Sequence, residues 1–264
     1  MQVFSCSGIY ASRLSGAALS DLRPPVIKDF KLSHRKGMLV RTASEDMTLY
    51  VSSGSVISVG SNIYDGESGI ASCRLSLRSA GKSSEIEQLI YDGQVEADVE
   101  VDLSKYDLLH GVSHTVVLEA INRAGMSTRV QASVLLDSSP PVSGLVLDGM
   151  SEIKVICQGP SLVISVDWTA FIDAETTILF HQVAAATTPR EDFQQDLAHF
   201  GLPLEPLQAT IELDPKMLLR SDDTIYVSVK AMNAAGMSSV AVSGPLTVKC
   251  TTDLCECTEN IVCV

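Results

Sequence analysis

An eight-residue phrase occurs twice in this chain. Ala120-Ile-Asn122-Arg-Ala124-Gly125-Met126-Ser127 returns as Ala231-Met-Asn233-Ala-Ala235-Gly236-Met237-Ser238, with the two glycines 111 residues apart. That period is the length of one β-sandwich domain, since seven short strands and their turns need about 100 residues. The residues leading into each copy alternate as strands do. Val116, Leu118, Ala120 and Asn122 share one face, and Ile225, Val227, Val229, Ala231 and Asn233 share the matching face. A chain of 264 residues has room for two such domains, each with its own core.

A looser third copy lies at the start, where Ser7-Gly8-Ile9 leads to Ser15-Gly16 much as Gly236-Met237 leads to Ser243-Gly244. Leu22-Arg-Pro24-Pro25-Val26 follows that copy, and Ser138-Ser-Pro140-Pro141-Val142 follows the next. Paired prolines lose two backbone donors and favour extended backbone, which suits a stiff link. The reading is therefore a preceding module's tail at residues 1–23, modules at 24–140 and 141–250, and the start of a cysteine-rich segment at 251–264. So short a proline link predicts an elongated pair with restricted bending.

Other elements keep the same step. Asp65-Gly-Glu67-Ser-Gly-Ile70 matches Asp173-Ala-Glu175-Thr-Thr-Ile178, and a strand follows each. Ser84-Glu-Ile-Glu87 and Thr188-Pro-Arg-Glu191 fit a capping box, and Gly93 and Gly201 fit helix stops, so a short helix is expected near 84–92 and another near 189–200. Val95, Ala97, Val99, Val101 and Leu103 alternate with Glu96, Asp98, Glu100 and Asp102, a strand whose acids face water. Leu207, Ala209, Ile211 and Leu213 do the same in the second module.

The Val-x-Ala-x-Asn-x-Ala-Gly-x-Ser pattern, with Trp168 in Leu162-Val-Ile-Ser-Val-Asp-Trp168, resembles fibronectin type III modules from about Pro24 to Cys250. The Asp-x-Glu-Ser-Gly-Ile element and the Pro-Pro links look like divergent relatives arrayed in large extracellular surface proteins. The resemblance implies an all-β fold of tandem immunoglobulin-like (fibronectin type III-like) β-sandwiches, here with a short helix inserted in each. It also implies a tyrosine at the corner eight residues before each Asn. This chain has His114 and Ile225 there, so the corner hydrogen bond is missing or replaced.

Motifs for catalysis are absent from the sequence: no nucleophile elbow, no phosphate-cradling glycine loop, no His-Glu-x-x-His, no dinucleotide fingerprint. A net charge of −13 opposes nucleic acid and anionic lipid, and no apolar run reaches the roughly 20 residues of a membrane helix. The candidate metal ligands are Asp65 with Glu67 and Asp173 with Glu175, since alternate carboxylates in a loop offer hard oxygens to calcium. Calcium wants six to eight oxygens, so the preferred role for the two aspartates is to cap their turns through backbone amides. Asn122 and Asn233 are read as turn openers whose amides bond local backbone.

Four of the seven cysteines, Cys250, Cys255, Cys257 and Cys263, crowd the C-terminus, which points to an oxidising compartment outside the cell or at its surface. Cys157 and Cys250 are the candidate disulfide clamping the second module, with pairing inside the tail as the alternative. The functional expectation is a non-enzymatic scaffold or adhesion segment, a modular rod presenting loops to a protein partner or matrix component. The alternatives are an accessory module of a larger extracellular enzyme and a receptor ectodomain fragment.

Overall fold

The computed structural model describes residues 2–4, 10–12, 21–34, 48–80, 85–93, 99–147, 152–154, 156–158, 161–189, 207–213, 219–220 and 222–249. It separates into two compact units, Met1–Leu49 with Gly54–Val134, and Tyr50–Ser53 with Leu135–Val264. Both are built of β-strands, and the helical turn among the described residues is a single 3-10 turn at Leu103–Lys105.

The first unit contains β1 (Gln2–Phe4), β2 (Tyr10–Ser12), β3 (Val26–His34), β4 (Thr48–Val51), β5 (Val56–Tyr64), β6 (Ile70–Ala80), β7 (Glu85–Gly93), β8 (Val99–Asp102), β9 (Ser113–Asn122) and β10 (Ser127–Leu136), except that the last two residues of β4 and of β10 fall to the second unit. A three-stranded sheet runs β3-β5-β8 and a five-stranded one β4-β10-β9-β6-β7. Period-two alternation gives each sheet one apolar face. Leu32, Ile57, Val59 and Val101 are buried from the first sheet, and Cys73, Leu75, Leu77, Val116, Leu118 and Ala120 from the second.

The second unit contains β11 (Val146–Leu147), β12 (Glu152–Lys154), β13 (Ile156–Gln158), β14 (Ser161–Trp168), β15 (Ile178–Ala186), β16 (Gln208–Glu212), β17 (Thr224–Asn233), β18 (Ser238–Val242) and β19 (Leu246–Lys249). One sheet runs β11-β14-β13 with β16 on β14, and the other runs β12-β19-β17-β15 with β18 on β17. Ile164, Val166, Trp168 and Ile211 from the first sheet form one buried cluster with Val183, Ala185, Ile225, Val227, Val229 and Ala231 from the second. The duplicated phrase thus ends the same strand twice. β9 and β17 bury their ten residues in the same order, down to the adjacent buried residues Val117 and Ser228 that interrupt the alternation.

The expected helix near 84–92 is not there. Residues 85–93 are β7, paired antiparallel with β6 from Cys73↔Gly93 to Ala80↔Glu85. A nine-residue helix is marginal in water, whereas a free edge of β6 satisfies the backbone of this segment along its length, so tertiary pairing overrides the local capping signal. The expected second helix near 189–200 lies outside the described residues beyond Pro189.

His114 replaces the missing corner tyrosine in the first unit. It is fully buried, and its Nε2 lies 3.2 Å from the carbonyl oxygen of Leu109, five residues upstream. That is the same bond back to an upstream carbonyl that a corner tyrosine makes, donated here by an imidazole N–H. Ile225 is apolar and fully buried at the matching place in the second unit, where packing alone fills the corner.

Candidate functional site

The same polar cluster occurs once in each unit, at the end of the strand that carries the repeat. In the first unit the turn after β9 is closed by Gly125 with φ +86, a backbone conformation that glycine adopts without strain. Asn122 accepts from the Met126 amide at 2.8 Å through its side-chain oxygen, which is the local bond expected of a turn opener. Its amide nitrogen does something else. It donates to Asp21 Oδ2 at 2.8 Å, to the Arg23 carbonyl at 3.0 Å and to Asp65 Oδ2 at 3.2 Å. Two amide protons serve three acceptors, so one bond is shared. Ser68 closes the ring by donating its hydroxyl to Asp21.

The second unit repeats this atom for atom. Asn233 accepts from the Met237 amide at 2.8 Å and donates to Asp137 Oδ2 at 2.9 Å, the Ser139 carbonyl at 3.2 Å and Asp173 Oδ2 at 3.0 Å. Thr176 takes the place of Ser68, its hydroxyl reaching Asp137 at 2.9 Å and Asp173 at 3.0 Å. Asp137 and Asn233 are fully buried.

Asp65 and Asp173 cap their turns as well. Asp65 Oδ1 accepts from the amides of Glu67 at 3.2 Å, Ser68 at 2.8 Å and Gly69 at 2.8 Å, and Asp173 Oδ1 from Glu175 at 3.2 Å and Thr176 at 2.7 Å. Partial burial pushes both carboxyls up, but these amides and the Asn side chain together outweigh it and hold both below the ordinary carboxylate range. Asp21 is also held low, first by the Ser68 hydroxyl. The two glutamates sit at the rim. Glu67 accepts from the Leu22 amide at 3.0 Å and lies 3.7 Å from the exposed Arg23 guanidinium, and Glu175 accepts from the Ser139 hydroxyl at 3.0 Å.

The four acids singled out by sequence therefore come together with partners that sequence reading missed: Asp21, Asp137, Ser68, Thr176 and the donor side of the two asparagines. A signal for the first pair was present. Asp21 and Asp137 each stand three residues before a Pro-Pro pair, in the same register of the repeat. The second proline of each pair, Pro25 and Pro141, is buried. The Cys157–Cys250 pairing lies outside the described residues.

No protein-family model matches the chain, and no curated protein matches it. Solved structures do. Fibronectin(III)-like modules of Clostridium thermocellum CbhA are similar with a TM-score of 0.44 at 10% identity, over 83% of this chain and 94% of that one. A crystal structure of titin domains gives 0.43 at 14% identity, over 87% and 67%. Domains FN1-FN3 of chicken CNTN1 give 0.39 at 12% identity, over 92% and 76%. The likeness is one of fold.

A second polar feature lies at the rim of the second core. His181 on β15 packs against Trp168 at 5.4 Å and Phe171 at 5.6 Å between ring centroids. Burial among these rings holds its pKa below the ordinary value, and its Nε2 meets no hydrogen-bond partner among the described residues. The sign follows from proton binding. As pH falls through about 6.5 the unfolded chain takes up a proton before the folded one, so the second unit loses stability. Thermal melts between pH 7.5 and 5.5 should show its transition falling, and His181→Gln should flatten that dependence; an unchanged slope would place the titration elsewhere.

Proposed function

We propose that this chain is a non-enzymatic segment of an extracellular scaffold or adhesion protein, in which repeated β-sandwich modules hold loops out for contact with a protein or matrix partner. The observation that carries this reading is the duplicated cluster. An active site is kept in one copy and in a form open to substrate, whereas Asp21, Asp65 and Asn122 recur as Asp137, Asp173 and Asn233 with protein donors on their oxygens. Saturated carboxylates serve to fix chain segments, and a fixing device repeated at the domain period belongs to a module meant to be repeated. The acidic surface fits the same role, since it disfavours nucleic acid and anionic membranes. No helix of the described residues is long and apolar enough to cross a membrane.

Beads coated with the folded chain should be retained on a cell layer or deposited matrix under washing, and beads coated with heat-unfolded chain should not. Equal retention of the two would remove the adhesion reading. The oxidising compartment is tested separately by non-reducing peptide mapping of the secreted chain, in which Cys157 should be found linked to Cys250. Recovery of both as free thiols would remove the proposed disulfide.

Neither cluster requires calcium in this reading, because amides and hydroxyls already fill the positions a cation's ligands would offer it. Adding calcium or EDTA should move the melting temperature by no more than about a degree. A large rise reversed by EDTA, and abolished by Asp65→Asn or Asp173→Asn, would instead make Asp65, Glu67, Asp173 and Glu175 calcium ligands.

A further inference from the structure

Residues 137–145 cross the second unit without joining a ladder. Before β11 their main chain is held at separate points: the Asp137 amide donates to the Val51 carbonyl at 2.9 Å, and Val142 forms an isolated bridge with Ile172 through bonds of 2.8 and 3.1 Å. Asn233 and Thr176 hold Asp137, and Asn233 also holds the Ser139 carbonyl. At the far end Leu145 and Thr169 exchange bonds, the Leu145 amide to Thr169 Oγ1 at 2.7 Å and the Thr169 amide to the Leu145 carbonyl at 2.8 Å. The approach there is close, since a Cβ on Gly144 would stand 2.2 Å from the Thr169 carbonyl oxygen.

Apolar anchorage is slight by comparison. Val142 is 70% exposed, Leu145 68% and Ile172 64%, which leaves Pro141 as the buried apolar side chain of the stretch. Pro140 and Pro141 carry no N–H to pair. The segment is thus fastened by individual hydrogen bonds, the stronger ones those that a carboxylate accepts, while the hydrophobic cluster of the unit is complete without it.

We propose that residues 137–145 form a strap that opens as one piece while the sandwich of the second unit stays folded, releasing up to about 30 Å of extended chain as a reserve of length under tension. The first unit differs in a way that serves as an internal comparison. There the segment after Asp21 runs directly into β3, where Val26, Ile27 and Lys28 pair with Tyr64, Ile63 and Asn62, so a continuous ladder stands where the second unit has an isolated bridge and single bonds. The strap rests on this geometry and not on the adhesion reading: bead retention and strap opening fail independently of one another.

Amide hydrogen exchange on the full chain reads the opening directly. The Val142 and Ile172 amides, which bond across the strap, should exchange at a common opening rate at least about 100-fold above that of Val229 in the core strand β17. Thr176→Val touches neither reporter, yet should speed both about tenfold together by removing a hold on Asp137. Leu246→Ala, a cavity in the core, should speed Val229 by about thirtyfold or more and leave Val142 and Ile172 unchanged, since the core is intact in the open form. If that variant does not fold, low urea makes the same distinction in the unaltered chain: the reporters stay flat while Val229 accelerates. Reporters that track Val229, or that respond separately to Thr176→Val, overturn the proposal.

Discussion

Trp168→Ala should destabilise the second unit by about 3 to 5 kcal/mol, read as a loss of free energy in urea or guanidinium unfolding. Trp168 ends β14 with 2% of its surface exposed and sits in the cluster formed by both sheets. Truncation removes its burial and leaves a cavity beside His181, whose ring centroid lies 5.4 Å from its own. The backbone around it cannot close in easily, because the Trp168 amide is bonded to the Leu207 carbonyl at 3.1 Å and Val146 pairs beside it. The indole N–H has no partner among the described residues, so the loss is one of packing and not of a hydrogen bond. Trp168→Phe should therefore recover most of the stability. A loss under about 1 kcal/mol for the alanine variant would contradict the burial of this side chain.

Asn233→Ala should cost roughly 2 to 4 kcal/mol, and Asn122→Ala clearly less, although the two side chains make the same set of bonds. In both variants two carboxylates lose a shared donor. Asp137 is fully buried and cannot turn to water for a replacement, whereas Asp21 and Asp65 are both partly exposed and can be rehydrated. Denaturant unfolding of the two single variants measures the difference. Equal losses would mean that water reaches the second cluster as readily as the first. Asn233→Asp is the sharper variant, since it sets a third carboxylate against Asp137 and Asp173, and its destabilisation should ease as pH falls and the added acid becomes able to donate again.

Much of this architecture was legible in the residues because it is written with local periods. Alternation before Asn122 and Asn233 placed the buried face of β9 and β17, and the return of one phrase after 111 residues announced a second copy of the same strand and turn. Trp168 and Cys73 fell inside for the same reason: each shares a parity with apolar neighbours on its strand. The aspartate turns were legible too, because an Asx cap involves residues two to four positions apart.

What only the tertiary structure decided were bonds and pairings between distant parts of the chain. Residues 85–93 carry a helix-start signal and became a strand because β6, brought alongside, offered a ladder that a short helix could not match. His114 became a corner donor because the chain folds Leu109 over it. Asp21 meets Asn122 across 101 residues and Asp137 meets Asn233 across 96, a distance at which sequence spacing says nothing about approach. Local geometry fixed which face each side chain takes. Which donor a buried carboxylate finds was settled by the packing of strands, since an unpaired charge inside a sandwich is too costly for the fold to leave alone.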